Sequence, residues 1–346
     1  MLFSIQLSAD YPSKDYGGDR VYGDMLDQAV LADQLGFDAV SITEHHLMNC
    51  LMMPAPLQFA VKIAAMTKRI QIMTSIVVLP LHDMRVYAGE VVCADIFTDG
   101  RLLLGVGRGA FEYEMERFGV PMAETQARFN ESLDVLQALL SEEEVSWDGE
   151  YYKFDPLTIM PRPVRQGGPP MMMAVMNPEG IYHCTKRGFH IQTTPLSGNH
   201  QLLLDQVSAF NRAKDEMGAK EGEVTLTLSR VAHMASNVAE KQRKIEAAHR
   251  YYGRFDNVFT GPGIVEGGMI KPLPCKTPIE DLGESLLIGT PQEMIDKLAP
   301  YADLGIDRVI LNPNFGLDAN DTLDAIAAFA EDVMPHFAPT PNLAAE

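Results

Sequence analysis

Short apolar runs alternate with amphipathic stretches along the whole chain. The apolar runs are rich in β-branched residues, as buried strands are, whereas apolar residues spaced at i, i+3, i+4 and i+7 are typical of helices. This pattern predicts eight strands, at residues 3–7, 38–43, 70–79, 101–107, 171–176, 189–193, 224–232 and 308–311. It predicts helices at residues 24–35, 56–67, 85–97, 125–140, 178–187, 200–217, 238–252, 291–304 and 321–333.

Repeated strand–helix units imply parallel strands joined by right-handed crossovers. Eight such units favour a closed (β/α)8 TIM barrel, an α/β fold that forms one domain over residues 1–346. An open doubly wound sheet is the alternative. Two stretches interrupt the pattern: residues 141–169 are predicted to be an insertion with turns, and residues 253–288, with six glycines and four prolines, a mobile loop.

The composition argues against several classes of function. The 28 basic and 47 acidic residues give a net charge of −19, which is the wrong sign for binding nucleic acid or an anionic membrane surface. No apolar run approaches the ~20 residues that span a bilayer, and the first residues do not resemble a signal peptide. The four cysteines lie far apart without zinc spacing. We therefore expect a reduced, cytoplasmic globular protein.

Glu44-His45-His46, at the end of the second predicted strand, is the most chemically suggestive cluster. In a TIM barrel the active site lies at the carboxyl ends of the strands. Zinc is disfavoured, because adjacent strand residues point to opposite faces and the sequence offers no third ligand at a useful spacing. An imidazole can act as acid, base or hydrogen-bond donor near neutral pH. Catalysis is one interpretation of the cluster, and a structural Glu–His pair at the barrel rim is the other.

Gly105-Val106-Gly107-Arg108-Gly109-Ala110 follows the fourth predicted strand and matches the dinucleotide pattern G-x-G-x-x-A. A dinucleotide motif belongs on the first strand, however, and here a basic residue occupies the middle of the loop. We interpret the segment as a strand end where small residues admit a planar ligand while Arg108 meets an anion. The alternative role for Arg108 is an ion pair with Glu44 or Glu112.

Two helix starts supply further candidate anion ligands. Asn177-Pro178-Glu179-Gly180 predicts a capped helix, and the N–H groups and dipole at such an end suit phosphate, although most capped helices bind nothing. Arg128 lies in the first turn of the helix at 125–140, where a cation opposes the dipole; its alternative role is a solvated surface charge. The 20 methionines, four of them within residues 171–176, suit either an apolar pocket or the core.

These segments together resemble the bacterial luciferase-like family of flavin-dependent oxidoreductases. The set is specific, although no single segment would suffice, and it follows the family's order along nearly the whole chain. It comprises Gly36-Phe37-Asp38-Ala39-Val40, Thr43-Glu44-His45-His46, Val77-Val78-Leu79-Pro80, Phe97-Thr98-Asp99-Gly100-Arg101, Gly105-Val106-Gly107-Arg108-Gly109, Phe118-Gly119 and Gly289-Thr290-Pro291-Gln292-Glu293.

The resemblance implies a TIM barrel that binds reduced FMN, supplied by a separate NAD(P)H:flavin reductase, or in one branch the deazaflavin F420. It implies that His45 is the catalytic histidine, with Glu44 orienting it or pairing with Arg108. A non-proline cis peptide bond is expected under the flavin ring at Ser75–Ile76.

The resemblance also implies a set of flavin-binding residues. Phosphate contacts fall on Arg108, Arg128 and the capped segment with Asn177, Glu179 and Gly180. Gly107 and Met176 belong to the same site, but the luciferase catalytic chain has a cysteine and an acidic residue at these two positions. Light emission and a long-chain aldehyde substrate are therefore not expected here.

The expected function is a monooxygenase that uses reduced FMN and O2 to oxygenate a small, apolar organic substrate through a C4a-peroxyflavin. An F420-dependent dehydrogenase or reductase, transferring hydride on the same barrel, is the alternative. A flavin-binding subunit without turnover is a third hypothesis. The resemblance also implies a homodimer.

Overall fold

The computed structural model describes residues 1–196, 200–220 and 222–338. The strands, in chain order, are β1 (Leu2–Gln6), β2 (Ala39–Ile42), β3 (Gln71–Thr74), β4 (Val77–Val78), β5 (Leu102–Gly107), β6 (Val145–Asp148), β7 (Lys153–Leu157), β8 (Met171–Ala174), β9 (His190–Thr193), β10 (Leu226–Met234), β11 (Val265–Glu266), β12 (Met269–Ile270), β13 (Leu287–Gly289) and β14 (Arg308–Asn312). The helices are α1 (Gly18–Leu35), α2 (Pro56–Met66), α3 (Met84–Phe97), α4 (Glu112–Arg117), α5 (Thr125–Ser141), α6 (Pro178–Lys186), α7 (His200–Met217), α8 (Val238–Phe259), α9 (Ile279–Ser285), α10 (Pro291–Asp303) and α11 (Ala319–Asp332).

Eight of these strands close into a parallel barrel. The order is β10-β14-β1-β2-β3-β5-β8-β9, and β9 pairs back with β10. The short strands β13 and β4 extend the sheet beside β10 and β5. The predicted (β/α)8 barrel is thus confirmed, and the open doubly wound alternative is wrong because the sheet has no free edge between β9 and β10.

Successive side chains of each strand point alternately out of and into the barrel, and this forms two apolar layers. Outward residues such as Ile5, Val40 and Leu104 pack beneath the helices. Inward residues fill the barrel centre with a small layer made of Ala39, Met73, Leu103, Met172 and Ile310. Because strand side chains alternate with a period of two, each strand contributes to both layers and then ends at the rim. The packed centre leaves the carboxyl ends of the strands as the place for a ligand.

The structure corrects the predicted elements at several points. α1 begins at Gly18 rather than at residue 24, because Val21 and Met25 continue its buried face. The predicted strand at 70–79 is two strands, β3 and β4, separated by Ser75 and Ile76. The predicted insertion at 141–169 contains an antiparallel hairpin, β6–β7, in which Trp147 pairs with Phe154.

Residues 253–288 are more regular than the glycine and proline content indicated. α8 continues to Phe259 instead of ending at residue 252, and β11, β12, α9 and β13 follow. Gly253, the first residue of the predicted loop, lies within α8, and a Cβ atom there would lie 2.1 Å from the Leu273 carbonyl oxygen. This glycine therefore permits a close backbone approach within a continuing helix.

Across the described ranges, no helix is long and apolar enough to cross a membrane.

Candidate active site

A cavity of about 140 Å³ lies at the carboxyl ends of the barrel strands. Strand ends and the residues just after them give it polar walls, and α8 lies across it with aromatic side chains. The lining residues are Gln6, Thr43, Leu51, Ser75, Gln192, Thr194, Leu196, Ser229, Arg230, Val231, Tyr251, Tyr252, Phe255 and Asn312. We call this space the mouth cavity. Its described lining contains no methionine, because Met172 lies in the barrel centre and Met173 packs outward under the helices.

His45 is fixed beside this cavity by a buried carboxylate. Its Nδ1 lies 3.0 Å from Glu114 Oε1, and the same oxygen accepts the His46 backbone N–H at 2.8 Å. The His45 ring stacks on Phe111 with centroids 4.2 Å apart, and Phe111 packs edge-on against Phe255 of the cavity lining. A carboxylate at Nδ1 favours the proton on that nitrogen. Nε2, which has no hydrogen-bond partner in the described part of the chain, is then free to accept a proton.

Glu44 holds a different pair of histidines. It is 1% exposed, and its Oε1 lies 2.9 Å from His46 Nε2 and 2.8 Å from His82 Nε2. Its Oε2 accepts the Val78 N–H at 2.7 Å. Burial by itself would raise the pKa of Glu44, but the hydrogen bonds and charge of these partners outweigh it and lower the pKa to about 2.

The expected partners of Glu44 are therefore wrong. Its hydrogen bonds go to His46, His82 and Val78, so it neither orients His45 nor pairs with Arg108. The reason is geometric: alternate residues of an extended segment share a face, so Glu44 and His46 face each other while His45 points the other way, toward α4.

The low pKa of Glu44 should make the free energy of unfolding depend on pH. The pKa of Glu44 in the folded chain is about 2, below the ordinary value of 4.5. The ionised carboxylate therefore stabilises the folded state above about pH 5, and this stabilisation is lost as the pH falls toward 2. We expect Glu44→Gln to cost about 3 kcal/mol at pH 7 and progressively less below pH 5. Urea unfolding of both proteins at pH 7, 5 and 3.5 measures this difference. Glu90→Gln, at an exposed position of α3, is the control; a Glu44→Gln deficit as large at pH 3.5 as at pH 7 would contradict the prediction.

The Ser75–Ile76 peptide bond is cis, as expected. The Ser75 hydroxyl lines the mouth cavity and donates to Gln192 Oε1 at 2.7 Å. Ile76 lies against the end of β5, where a Cβ on Gly107 would come within 2.7 Å of Ile76 Cδ1. Gly107 thus lets the segment after β3 approach β5 closely. Gly105, which was grouped with it as part of a ligand cradle, instead faces the Thr74 carbonyl of β3.

Arg108 has no acidic partner among the described ion pairs. It is exposed, and its Nη1 donates to the Thr125 hydroxyl at the start of α5, 3.1 Å away. Neither Glu44 nor Glu112, the alternatives considered from the sequence, contacts it in the described hydrogen bonds. A guanidinium at the end of a barrel strand that lacks a carboxylate is available to an anionic ligand.

Arg128, unlike Arg108, has an acidic partner and an aromatic contact among the described residues. Its Nε donates to Glu124 Oε2 at 3.1 Å, and its guanidinium lies 4.8 Å from the centre of the Tyr151 ring. It lines a surface pocket of about 310 Å³ together with His82 and the β6–β7 hairpin. Arg108 therefore contacts the start of α5 from the loop after β5, whereas Arg128 belongs to the first turn of α5, and the two have different partners.

Asn177 caps α6 as predicted. Its Oδ1 accepts the N–H groups of Glu179, at 2.9 Å, and Gly180, at 3.4 Å. Those two donors were expected to be free for phosphate and are instead occupied by the cap. The Glu179 carboxylate turns outward to His183 and Arg212, and Met176, 37% exposed, precedes the cap.

Three features of the site were not found from the sequence: the carboxylate on His45, the second histidine on Glu44, and the aromatic cover. Glu114 lies in α4, which no pattern predicted, although Phe111 and Met115 at i and i+4 flank it as a short buried face would. His82 follows a segment noted only for its resemblance. Tyr251 and Tyr252 lie at the end of the helix predicted at 238–252, but Phe255 lies beyond that end, so the aromatic cover as a group was not predicted.

Within residues 1–196, 200–220 and 222–338, no three histidine, cysteine or acidic side chains form a group suited to a metal ion.

Comparisons with known proteins show the family and the fold. A family model described as luciferase-like monooxygenase matches residues 1–308. The oxygenase component of a flavin-dependent trigonelline monooxygenase from Acinetobacter baylyi is 27% identical over 97% of this chain and 96% of its own length. An F420-dependent glucose-6-phosphate dehydrogenase from Kineococcus radiotolerans is 25% identical over 92% of this chain and 94% of its own. The crystal structure of a monooxygenase from Streptomyces bottropensis superposes with a TM-score of 0.86, at 24% identity over 98% of this chain and all of that one.

Proposed function

The chain belongs to the luciferase-like monooxygenase family, and on that premise we propose that it is an FMN-dependent monooxygenase. It takes reduced FMN from a separate NAD(P)H:flavin reductase and uses O2 to oxygenate a small organic substrate. The flavin-dependent relative that spans nearly the whole chain is itself the oxygenase component of its system, which supports a reductase partner.

The observation that carries the proposal is the pairing of His45 with Glu114. A histidine whose Nδ1 is held by a buried carboxylate and whose Nε2 is free has the arrangement of an oriented base or hydrogen-bond donor. It is next to the mouth cavity, on the side where the segment through Ser75 and Ile76 approaches β5. A purely structural subunit would not need an oriented imidazole at that place.

The residues around the end of β5 fit a flavin mononucleotide. Gly107 leaves the strand end flat against Ile76, so a planar ring can lie over the Ser75–Ile76 segment. Arg108, which has no acidic partner within the described ranges, would hold the phosphate. Asn177, Glu179 and Gly180 would contribute the positive end of the α6 dipole, and Met176 the wall before it. Arg128 would join them if its ion pair with Glu124 opened.

In the proposed reaction, His45, Glu114 and the aromatic side chains of α8 have different roles. Bound reduced FMN would supply the electrons that activate O2. His45 would accept or donate a proton at Nε2, and Glu114 would keep that nitrogen aimed at the reacting edge. The three aromatic side chains of α8 cover the mouth cavity and exclude water from it.

The proposal is tested by anaerobic titration with reduced FMN and, in parallel, with reduced F420. We expect tight binding of reduced FMN and, on mixing with oxygenated buffer, consumption of O2 that is complete before the absorbance of oxidised FMN returns. Preferential binding of F420 without O2 consumption would instead assign the chain to the F420-dependent branch that the Kineococcus relative represents. Binding of neither would support the non-catalytic alternative.

Arg108 gives a sharper test of the phosphate site. We expect Arg108→Met to weaken reduced FMN binding by roughly 10- to 100-fold, because a charge-assisted hydrogen bond to phosphate is worth about 1.5–3 kcal/mol. Reduced riboflavin, which has no phosphate, should bind the variant and the wild type equally. Arg243→Met, at an exposed position of α8, is the control. Equal loss for both flavins would remove Arg108 from the phosphate site.

We also propose that the protein is a homodimer in the cytoplasm. Large apolar side chains are exposed on α3, at Val86 and Phe97, and on the neighbouring segment, at Met160 and Val164. The four side chains are between 62% and 79% exposed, so a second copy could cover them. The four cysteines are unpaired, as is usual in a reducing compartment.

A further inference from the structure

Two amide side chains at the mouth cavity have unused hydrogen-bonding atoms. Gln6 ends β1 and is 5% exposed; its Oε1 accepts the Ser41 hydroxyl at 2.6 Å, while its Nε2 has no partner among the described residues. Asn312 ends β14 and is 7% exposed, and its Oδ1 has no partner in the described part of the chain. Both line the cavity. Buried polar atoms are rarely left unsatisfied, so two of them on one wall of a cavity point to a ligand.

The two amides lie side by side. β1 and β14 are parallel neighbours in which Ile5 pairs with Leu311, so the next residues, Gln6 and Asn312, continue the same register. Adjacent strands are about 4.8 Å apart. Of these two neighbouring residues, one therefore carries an unpaired N–H donor and the other an unpaired carbonyl acceptor. The complementary ligand carries a carbonyl oxygen beside an N–H, as a carboxamide, lactam or imide does.

The donor and acceptor of the two amides, taken with the charges around the cavity, favour a neutral ligand group. No acidic side chain belongs to the described lining, and its one cationic residue, Arg230, donates through its guanidinium to the backbone carbonyls of Leu196 and Ser285. Arg230 Nε has no partner among the described residues and is able to meet an anion. A carboxylate, however, has no N–H for Asn312 Oδ1, and an ammonium has no acceptor for Gln6 Nε2, so an ionised group would leave one of the two amides unpaired. Tyr251, Tyr252 and Phe255 supply the apolar cover above the amides.

The position of the amides separates them from the proposed phosphate site. In the barrel order, β14 and β1 lie across the barrel from β5 and β8, which lead to Arg108 and Asn177. The flavin ring would lie over Ser75 and Ile76, on the β3–β5 side. The wall made by Gln6 and Asn312 is thus left for the molecule that is oxidised.

We propose that Gln6 and Asn312 select a substrate that carries a neutral carboxamide, lactam or imide group on a small ring, rather than the apolar molecule expected from the methionine content. The inference rests on the proposed function. A cavity of about 150 Å³ is known to admit benzene, so the mouth cavity at about 140 Å³ suits a single ring with its substituent.

The test uses two probes of the same shape, benzamide and α-methylstyrene, which differ only in the polar atoms. Binding is measured by saturation-transfer NMR, with and without reduced FMN under anaerobic conditions. We expect the wild type to bind benzamide about 30-fold more tightly, because the apolar probe leaves both amides unpaired. In the double variant Gln6→Met/Asn312→Leu the preference should fall to about threefold or less.

The controls separate this site from the flavin site and from misfolding. Ser4, two residues before Gln6 on β1, also has a buried polar atom without a partner in the described part of the chain, but it lies outside the described cavity lining. The Ser4→Ala variant should therefore keep the preference for benzamide. The single variants and their thermal midpoints check folding.

Equal binding of the two probes to the wild type would overturn the proposal, and so would a preference that survives in the double variant. If the double variant loses affinity for reduced FMN while its benzamide binding is unchanged, the two amides hold the flavin ring. That result would also overturn the proposal. If the protein binds no FMN but shows the benzamide preference, and the double variant loses it, the proposed function fails while the amide site is supported.

Discussion

Replacing His45 with alanine is expected to slow substrate oxygenation by about 10²- to 10⁴-fold, the usual contribution of a positioned acid or base. The imidazole offers a free Nε2 while Glu114 holds Nδ1, and no other residue beside the mouth cavity has this arrangement in the described part of the chain. The rate is measured in single turnovers as incorporation of ¹⁸O from ¹⁸O2, screened over small carboxamides. His183→Ala, on the outer surface of α6, is the matched control and should react at the wild-type rate.

Added imidazole distinguishes chemistry from structure in this experiment. The alanine variant leaves a space that free imidazole can enter, so part of the rate should return. Glu114→Leu should also be slow, because His45 is present but no longer oriented, and imidazole should not restore it. A His45→Ala protein that oxygenates at the wild-type rate would remove His45 from the mechanism, and a loss of FMN binding in both variants would make their role structural.

Replacing Gly105 with alanine is expected to destabilise the barrel by about 3 kcal/mol or more. A Cβ at this position would lie 1.9 Å from the Thr74 carbonyl oxygen, which belongs to the backbone of the neighbouring strand β3. Side chains can rotate away from a clash, but a carbonyl held in the barrel cannot move without separating β3 from β5. Since whole domains are stable by only about 5–15 kcal/mol, this is a large fraction of the total.

Gly23→Ala provides the control of opposite sign. Gly23 lies within α1, and nothing would approach its Cβ within 4 Å. The same substitution there should stabilise the protein by about 0.5–1 kcal/mol, because alanine is the better helix former. Urea unfolding followed by far-UV circular dichroism measures both. A Gly105→Ala midpoint equal to that of the wild type would show that the two strands can separate without cost.

The sequence by itself determined the architecture. The apolar runs have the pattern of strands and the amphipathic stretches have the period of helices. Eight alternating strand–helix units have few ways other than a closed barrel to bury the apolar faces of both the strands and the helices. The same reasoning singled out His45 and Arg108 as candidates, since each lies within two residues of the end of a predicted strand. It failed at α8, where the glycine and proline content of residues 253–288 predicted a loop, whereas Gly253 lies in a continuing helix that packs closely against Leu273.

Only the tertiary structure decided which side chains meet. Glu114 is 69 positions from His45, and Gln6 and Asn312 come from opposite ends of the chain, yet closure of the barrel places each pair together. Glu44 bonds to His46 and His82 rather than to Arg108 because the face of each residue is set by local backbone direction and by the register of neighbouring strands. Periodicity fixes the face of a residue within its own element, whereas partners across elements follow from strand order and shear, which the local pattern does not encode.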